Sequence, residues 1–276
     1  MEKYENLIFD EERALYGIKN AEIINCKFDG PADGESALKE TNSIYVENCF
    51  FNLRYPFWHT TNGSIKNITM TENCRAALWY DKNLKIINSQ LGGIKAVREC
   101  ENIDIKESKI NSSEFGWFSN NLKISDTNLF SEYPFLKSKN IEIENLNMKG
   151  KYSFQYTENC IIKNSSFDTK DAFWHSKNVT VIDSVIKGEY LAWYSENLKL
   201  INCKIIGTQP LCYAKGLILE NCQMIDCNLA FEKSEVTASI KGNIISVKNP
   251  ISGFIKTDSI GKIILDEETK CEITTK

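Results

Sequence analysis

The sequence predicts an all-β protein, a single-stranded right-handed parallel β-helix with about 19 residues per coil and terminal caps. Three observations predict it. An Asn recurs every 19 residues, at Asn83, Asn102, Asn121, Asn140, Asn159, Asn178 and Asn197, and Gly216 and Glu235 fall on the same count. Each start is followed by an alternating apolar run rich in branched side chains, as in Leu84/Ile86, Ile103/Ile105 and Leu198/Leu200. Helical periodicity is missing throughout. A fixed period held over most of a chain marks a repeat architecture.

Taking the starting Asn as position 0, the alternation at positions 1 and 3 reads as a short half-buried strand. Position 5 is polar and turn-prone (Asn88, Glu107, Asp126, Asn145, Asn202), so the chain bends there. Position 8 is apolar again (Leu91, Ile110, Leu129, Phe167, Ile205) and belongs to a second strand. Gly or Ser near position 10 makes the next bend, and a third, aromatic-rich strand leads back to the following Asn. Stacked coils place like residues on like, so an Asn column can hydrogen-bond along the axis. Left-handed hexapeptide and pentapeptide helices need apolar residues every six or five positions, which this spacing does not supply.

The whole chain, 1–276, reads as one β-helix domain. Residues 1–19 lose the repeat and are expected as an N-terminal cap, 20–235 as coils, and 236–276 as C-terminal coils and cap, because an open end exposes strand edges. Within 20–82 the pattern is looser. The polar run from Asp29 to Ser36 reads as a loop leaving the coil.

The third strand gathers all five Trp and both His of the chain, in pieces such as Phe57-Trp58-His59, Leu78-Trp79-Tyr80 and Phe173-Trp174-His175. A strand alternates its faces, so neighbouring aromatic residues imply one set inside and one outside. The arrangement preferred here has Phe135, Phe154 and Phe173 in the core and the Trp column outside, because Arg98 shares that column and a buried unpaired Arg is costly. Trp58, Trp79, Tyr80, Arg98, Trp117, Tyr156, Trp174, Trp193 and Tyr194 are then the candidate ligand-binding residues. Aromatic rings stack on the apolar face of a pyranose while polar neighbours take its hydroxyls, which points to a carbohydrate. The competing reading is a column that stabilises the coils or buries itself in a homo-oligomer.

Catalytic residues are not marked by any complete lyase or hydrolase motif. Two weak constellations stand out: Glu35, Arg54, His59 and Arg75 near Trp58, and Asp171 with His175, two residues to either side of Phe173. A His beside a carboxylate suits acid–base work, although a solvated surface His is the more common case.

A net charge of -4 and a pI near 5.5 leave no basic surplus for nucleic acid. No signal-peptide layout and no apolar run of spanning length are present, so a cytoplasmic protein without a membrane partner is expected. Cys203 and Cys222 share a register with Ser89, Ser108, Ser165 and Ser184, which reads as a column of small buried side chains. There is no Cys-x-x-Cys, so neither a metal site nor a cofactor is expected. Glu11-Glu12-Arg13-Ala14-Leu15-Tyr16-Gly17, the run from Gly34 to Glu40 and the Trp-bearing repeats resemble a bacterial family of about this length with no assigned function. Its members are expected to be pectin-lyase-like β-helices. The resemblance covers the whole chain, implies the fold, and draws attention to Glu12, Arg13, Glu35 and Ser36 without implying an activity.

Overall fold

The computed structural model describes residues 1–30 and 35–276. It is a parallel β-helix with no α-helix among the described residues. The chain divides into two compact units, Met1–Glu142 and Ile143–Lys276. Both are built of coils stacked in parallel.

In the first unit, strands such as Asn42–Glu47, Thr61–Lys66, Lys82–Ile87 and Glu101–Lys106 pair in parallel, each with the strand one coil away. Their register sets Leu84 on Ile103 and Ile103 on Leu122. Side chains at positions 1 and 3 point inward, so Ile65, Ile86 and Ile105 form one fully buried column. The second side adds a stack of Phe9, Phe28 and Phe51, whose rings lie 4.9 and 4.8 Å apart. In the second unit the equivalent columns are Ile162, Val181, Leu200 and Leu219, and Phe154 stacks on Phe173 at 4.8 Å.

The Asn columns exist and have two causes. Asn83, Asn102 and Asn121 each donate from Nδ2 to the Asn of the preceding coil at 2.8–2.9 Å, and Asn178 and Asn197 do so in the second unit. Each also sits at a left-handed backbone position, with φ of 54–57°. That conformation costs most residues energy, but Asn tolerates it and glycine adopts it freely. Gly216, at φ 61°, keeps the count for this reason.

One expectation needs correction. Residues 1–19 form a further coil, in which Glu2–Glu5 pairs with Ala21–Ile24 and Ile8–Phe9 with Lys27–Phe28. The repeat is hard to read there because Glu2 and Tyr4 occupy the core columns that Ala21 and Ile23 fill one coil later. The coils expected past residue 236 are shortened: Val236 pairs with Gly253 and Phe254 with Glu272, so the 19-residue count fails. The loop expected between Asp29 and Ser36 falls largely on residues 31–34, outside the described residues.

Candidate functional site

The aromatic side of each coil is not a regular third strand. Among the described residues of this side, two-residue strands form at Phe57–Trp58, Leu78–Trp79 and Val97–Arg98. Elsewhere left-handed residues alternate along the run, as at Tyr152, Phe154 and Tyr156 or Asp171, Phe173 and His175, with φ of 52–59°. This breaks the two-face rule of a strand. Two consecutive side chains point in and the next two point out: Ser153 and Phe154 are buried, Gln155 and Tyr156 are outside, and Thr157 is buried again. Phe135, Phe154 and Phe173 fill the core, and the Trp column lies outside and half-buried. The Tyr/His column is outside as well, so the aromatic side presents two outer columns instead of one.

In the first unit these columns form a closed stack of four rungs. Trp58 and His59 lie almost in one plane, 17° apart, and so do Trp79 and Tyr80, 18° apart. Trp58 stacks on Trp79 at 5.3 Å, and His59 on Tyr80 at 5.1 Å. Lys39 closes the free face of Trp58, with Nζ 4.0 Å from the ring centre, and Arg98 lies 5.8 Å from the centre of Trp79. Both cations also face carboxylates, Lys39 with Glu40 at 4.0 Å and Arg98 with Glu99 at 2.9 Å. The hydrogen bond to Glu99 holds the Tyr80 phenol above its ordinary value. Partial desolvation pushes Glu99 upward, but hydrogen bonds from Tyr80 and Arg98 outweigh it and keep the carboxyl below the usual range. Sequence reading missed Lys39, Glu40 and Glu99, although Lys39 and Glu40 precede Ser43 by the same count that separates Trp58 and His59 from Asn62.

In the second unit the outer column is a ladder of polar-tipped rings. Tyr156, His175, Tyr194 and Tyr213 stack at 4.8, 5.0 and 4.9 Å, tilted by no more than 15°. Tyr156 and Tyr194 are 46% and 44% exposed. Behind them Trp174 stacks on Trp193 at 5.4 Å. Their indole N–H groups donate to the backbone carbonyls of Tyr190 and Gln209, at 2.6 and 2.8 Å. Trp117 in the first unit does the same toward Tyr133, whereas the buried indole nitrogen of Trp58 meets no acceptor among the described residues and that of Trp79 faces Tyr80 and Glu99 instead of a backbone carbonyl. Tyr213 is a further member of the ladder that sequence reading missed, because its coil carries Cys212 where others carry Trp.

The catalytic candidates are only partly brought together. Arg54 meets Glu35 at 3.1 Å, and Arg75 follows Arg54 in the next coil. His59 belongs to the ring stack. Asp171 and His175 do not form a pair: Asp171 is 7% exposed with Lys170 at 4.0 Å, while His175 lies between Tyr156 and Tyr194. The strand rule that aligned them fails because the residues between them alternate in hand. Desolvation raises the Asp171 carboxyl, and Lys170 opposes it.

A family model described as "Protein of unknown function (DUF3737)" matches residues 2–276. No curated protein sequence matches the chain at a significant level. Among solved structures, the chain is similar to PfbA, a surface adhesin of Streptococcus pneumoniae, at 9% identity and a TM-score of 0.40, over 87% of this chain and 81% of that one. It is similar at the same identity and TM-score to the A-module of the Azotobacter vinelandii mannuronan C-5 epimerase AlgE4, over 87% and 89% of the two chains.

Proposed function

The chain belongs to the DUF3737 family, and we propose that it binds a carbohydrate chain along the Tyr156–His175–Tyr194–Tyr213 column of the second unit. The observation that carries this reading is the ladder itself. Four rings follow one another at 4.8–5.0 Å, those of Tyr156 and Tyr194 exposed and those of His175 and Tyr213 half-buried, offering tyrosine hydroxyls and an imidazole as polar partners. That spacing is close to the length of one sugar residue in an extended chain. Each rung can meet one residue by hydrogen bonds, with ring edges supplying apolar contact.

Ring-face stacking on a pyranose does not fit the first unit, where ring or cation covers the Trp58 and Trp79 faces. There the second reading is favoured, and the rungs hold the coils together. Trp58, Trp79, Tyr80 and Arg98 are thus proposed as stabilising, and Tyr156, Trp174, Trp193 and Tyr194 as the binding set. Trp117 lies one coil beyond that stack and bonds to the Tyr133 carbonyl.

The test is a broad glycan panel probed with the native protein and with Tyr194→Ala. A hit is expected, and removing the central ring should weaken it about tenfold, a loss of roughly 1.4 kcal/mol. A panel without hits, together with light scattering that shows an oligomer dissociated by Tyr194→Ala, would replace this reading with self-association.

A further inference from the structure

The second unit carries a groove at the other end of the opening strand from the tyrosine column. Tyr194 precedes the strand Glu196–Ile201, and the groove begins after it, at Asn202. There each coil bends on a left-handed residue, as at Asn164, Asp183 and Asn202 with φ of 49–52°. The next side chain turns inward, so Ser165, Ser184 and Cys203 are buried. The one after it points outward again. Two outward columns therefore stand as walls along the coil axis. One is Asn164, Asp183, Asn202 and Asn221, and the other is Ser166, Val185, Lys204, Gln223 and Lys241.

Three adjoining hollows of about 440, 410 and 300 Å³ lie along these walls. The first two share Asp183 and Val185, and the last two share Gln223 and Lys241, so the groove is continuous. From the Asn145 coil to the Asn221 coil it runs about 19 Å at the usual strand spacing.

Polar groups on both walls are left unused by the fold. In the first unit, bend asparagines are tied coil to coil: Asn25, Asn48, Asn67 and Asn88 each donate to the Asn before them, at 2.6–3.2 Å. Asn202 and Asn221 do the same toward Asp183 and Asn202, at 2.9 and 2.7 Å. The ladder stops at Asp183, because a carboxylate has no hydrogen to pass on. The Asn164 carboxamide makes no hydrogen bond among the described residues. The Ser166 hydroxyl, the Lys204 ammonium and the Gln223 carboxamide make none either.

The chemistry of the walls selects a neutral, hydroxyl-rich ligand. Asp183 and Asp226 offset Lys204 and Lys241, and Lys241 also lies in the field of Asp258, so no surplus charge is present to hold a polyanion. No aromatic ring lines the three hollows. A free carboxamide beside a carboxylate offers a donor and several acceptors, which suits adjacent hydroxyls that each donate and accept. Successive coils repeat such polar groups at about 4.8 Å, close to the length of one sugar residue in an extended chain.

We propose that this groove binds a neutral oligosaccharide along the coil axis, about four residues long at that spacing, held by Asn164, Asp183, Lys204 and Gln223. It shares no residue with the Tyr156–His175–Tyr194–Tyr213 column and stands without it. With both in place, the second unit holds two chains at once.

Calorimetric titration of the full chain with neutral glucose and xylose oligosaccharides of graded length, and with an oligogalacturonate, tests this. Tyr194→Ala, which removes a ring of the column, is expected to keep binding at least one neutral series, with affinity rising with length until the groove is full. Gln223→Ala and Asp183→Asn, each added to Tyr194→Ala, should weaken that binding by about tenfold. Asp183→Asn supplies the missing donor and ties up Asn164, so the variant should melt no lower than its parent while it loses affinity. Failure of every neutral series with Tyr194→Ala, or undiminished binding by the double variants, overturns the groove. Binding of the oligogalacturonate alone does so too, since the ligand is then acidic. The column is judged separately: it stands without the groove if Tyr194→Ala weakens binding and the groove variants do not, and the reverse result leaves the groove alone.

Discussion

Asp81 is the residue whose chemistry departs furthest from its neighbours. Its column reads Thr41, Thr60, Asp81, Cys100, Ser119 and Ser138, all buried. Each of these polar atoms can take the amide of the preceding coil, as Ser119 Oγ takes the Cys100 amide at 3.1 Å. Asp81 Oδ1 does this for Thr60 at 2.8 Å, but Oδ2 is buried without a partner. Burial pushes the carboxyl well above its usual range, and the Thr60 hydrogen bond only partly opposes it. The native state therefore keeps a proton that the unfolded chain loses as pH rises through the ordinary carboxylate range. Stability falls with rising pH across that window and levels off above the native value. Asp81→Thr keeps the contact and removes the acid, so it should stabilise the protein by on the order of 1–3 kcal/mol at about pH 7. The gain should shrink toward about pH 3, where the carboxyl is protonated in both states. Denaturant titrations at the two pH values check this, and a gain that does not depend on pH would refute the titration argument. The cysteines give a second check at this scale. Nine are buried, with burial pushing Cys49, Cys212 and Cys227 up to about 12, and Cys271 alone is partly exposed. A thiol reagent at neutral pH should label Cys271 first, and the rest only on unfolding.

At the scale of the element, the strand that opens each repeat was fully legible and the aromatic side was not. Leu84, Ile86 and their equivalents alternate because an extended chain alternates, so hydrophobicity alone reveals the strand. Between Asp171 and His175 the direction of each side chain depends on the sign of φ, which apolar patterning does not record. One trace was present in the sequence: Gly216 standing where other coils have Asn marks a left-handed position. The same position yields a prediction. Asn102 donates to Asn83 and accepts from Asn121, both at 2.8 Å, while holding φ at 57°. Asn102→Ala loses both bonds and keeps the backbone strain, so it should cost about 1–2 kcal/mol. Asn102→Gly loses the same bonds without the strain and should cost less. Equal losses in thermal melts of the two variants would show that only the ladder matters, and that the left-handed conformation is not the reason for Asn.

At the scale of the whole molecule, a stack of coils has a modularity that a globular core lacks, because each coil touches only its neighbours. The second unit allows a strict test. Removing residues 178–196 joins Lys177 to Asn197 and deletes one full period. Cys160 would then pair with Leu198, where it now pairs with Val179. His175 would stack on Tyr213 in place of Tyr194. The indole of Trp174 would find the Gln209 carbonyl, the acceptor that Trp193 now uses. Apart from Trp193, whose place beside Trp174 passes to Cys212, the core and ladder columns receive a residue of the kind they lost, so the shortened protein should fold and give an unchanged β-sheet circular dichroism spectrum. Removing 178–195 instead leaves one residue too many. A one-residue slip sends the apolar positions of a strand to the solvent face, so Leu198 and Leu200 would turn outward and the protein should fail to fold or aggregate. The contrast separates register from length, since the two deletions differ by Glu196 alone. If both variants folded equally well, the 19-residue register would not be what specifies this structure, and the column assignments drawn from it would lose their basis.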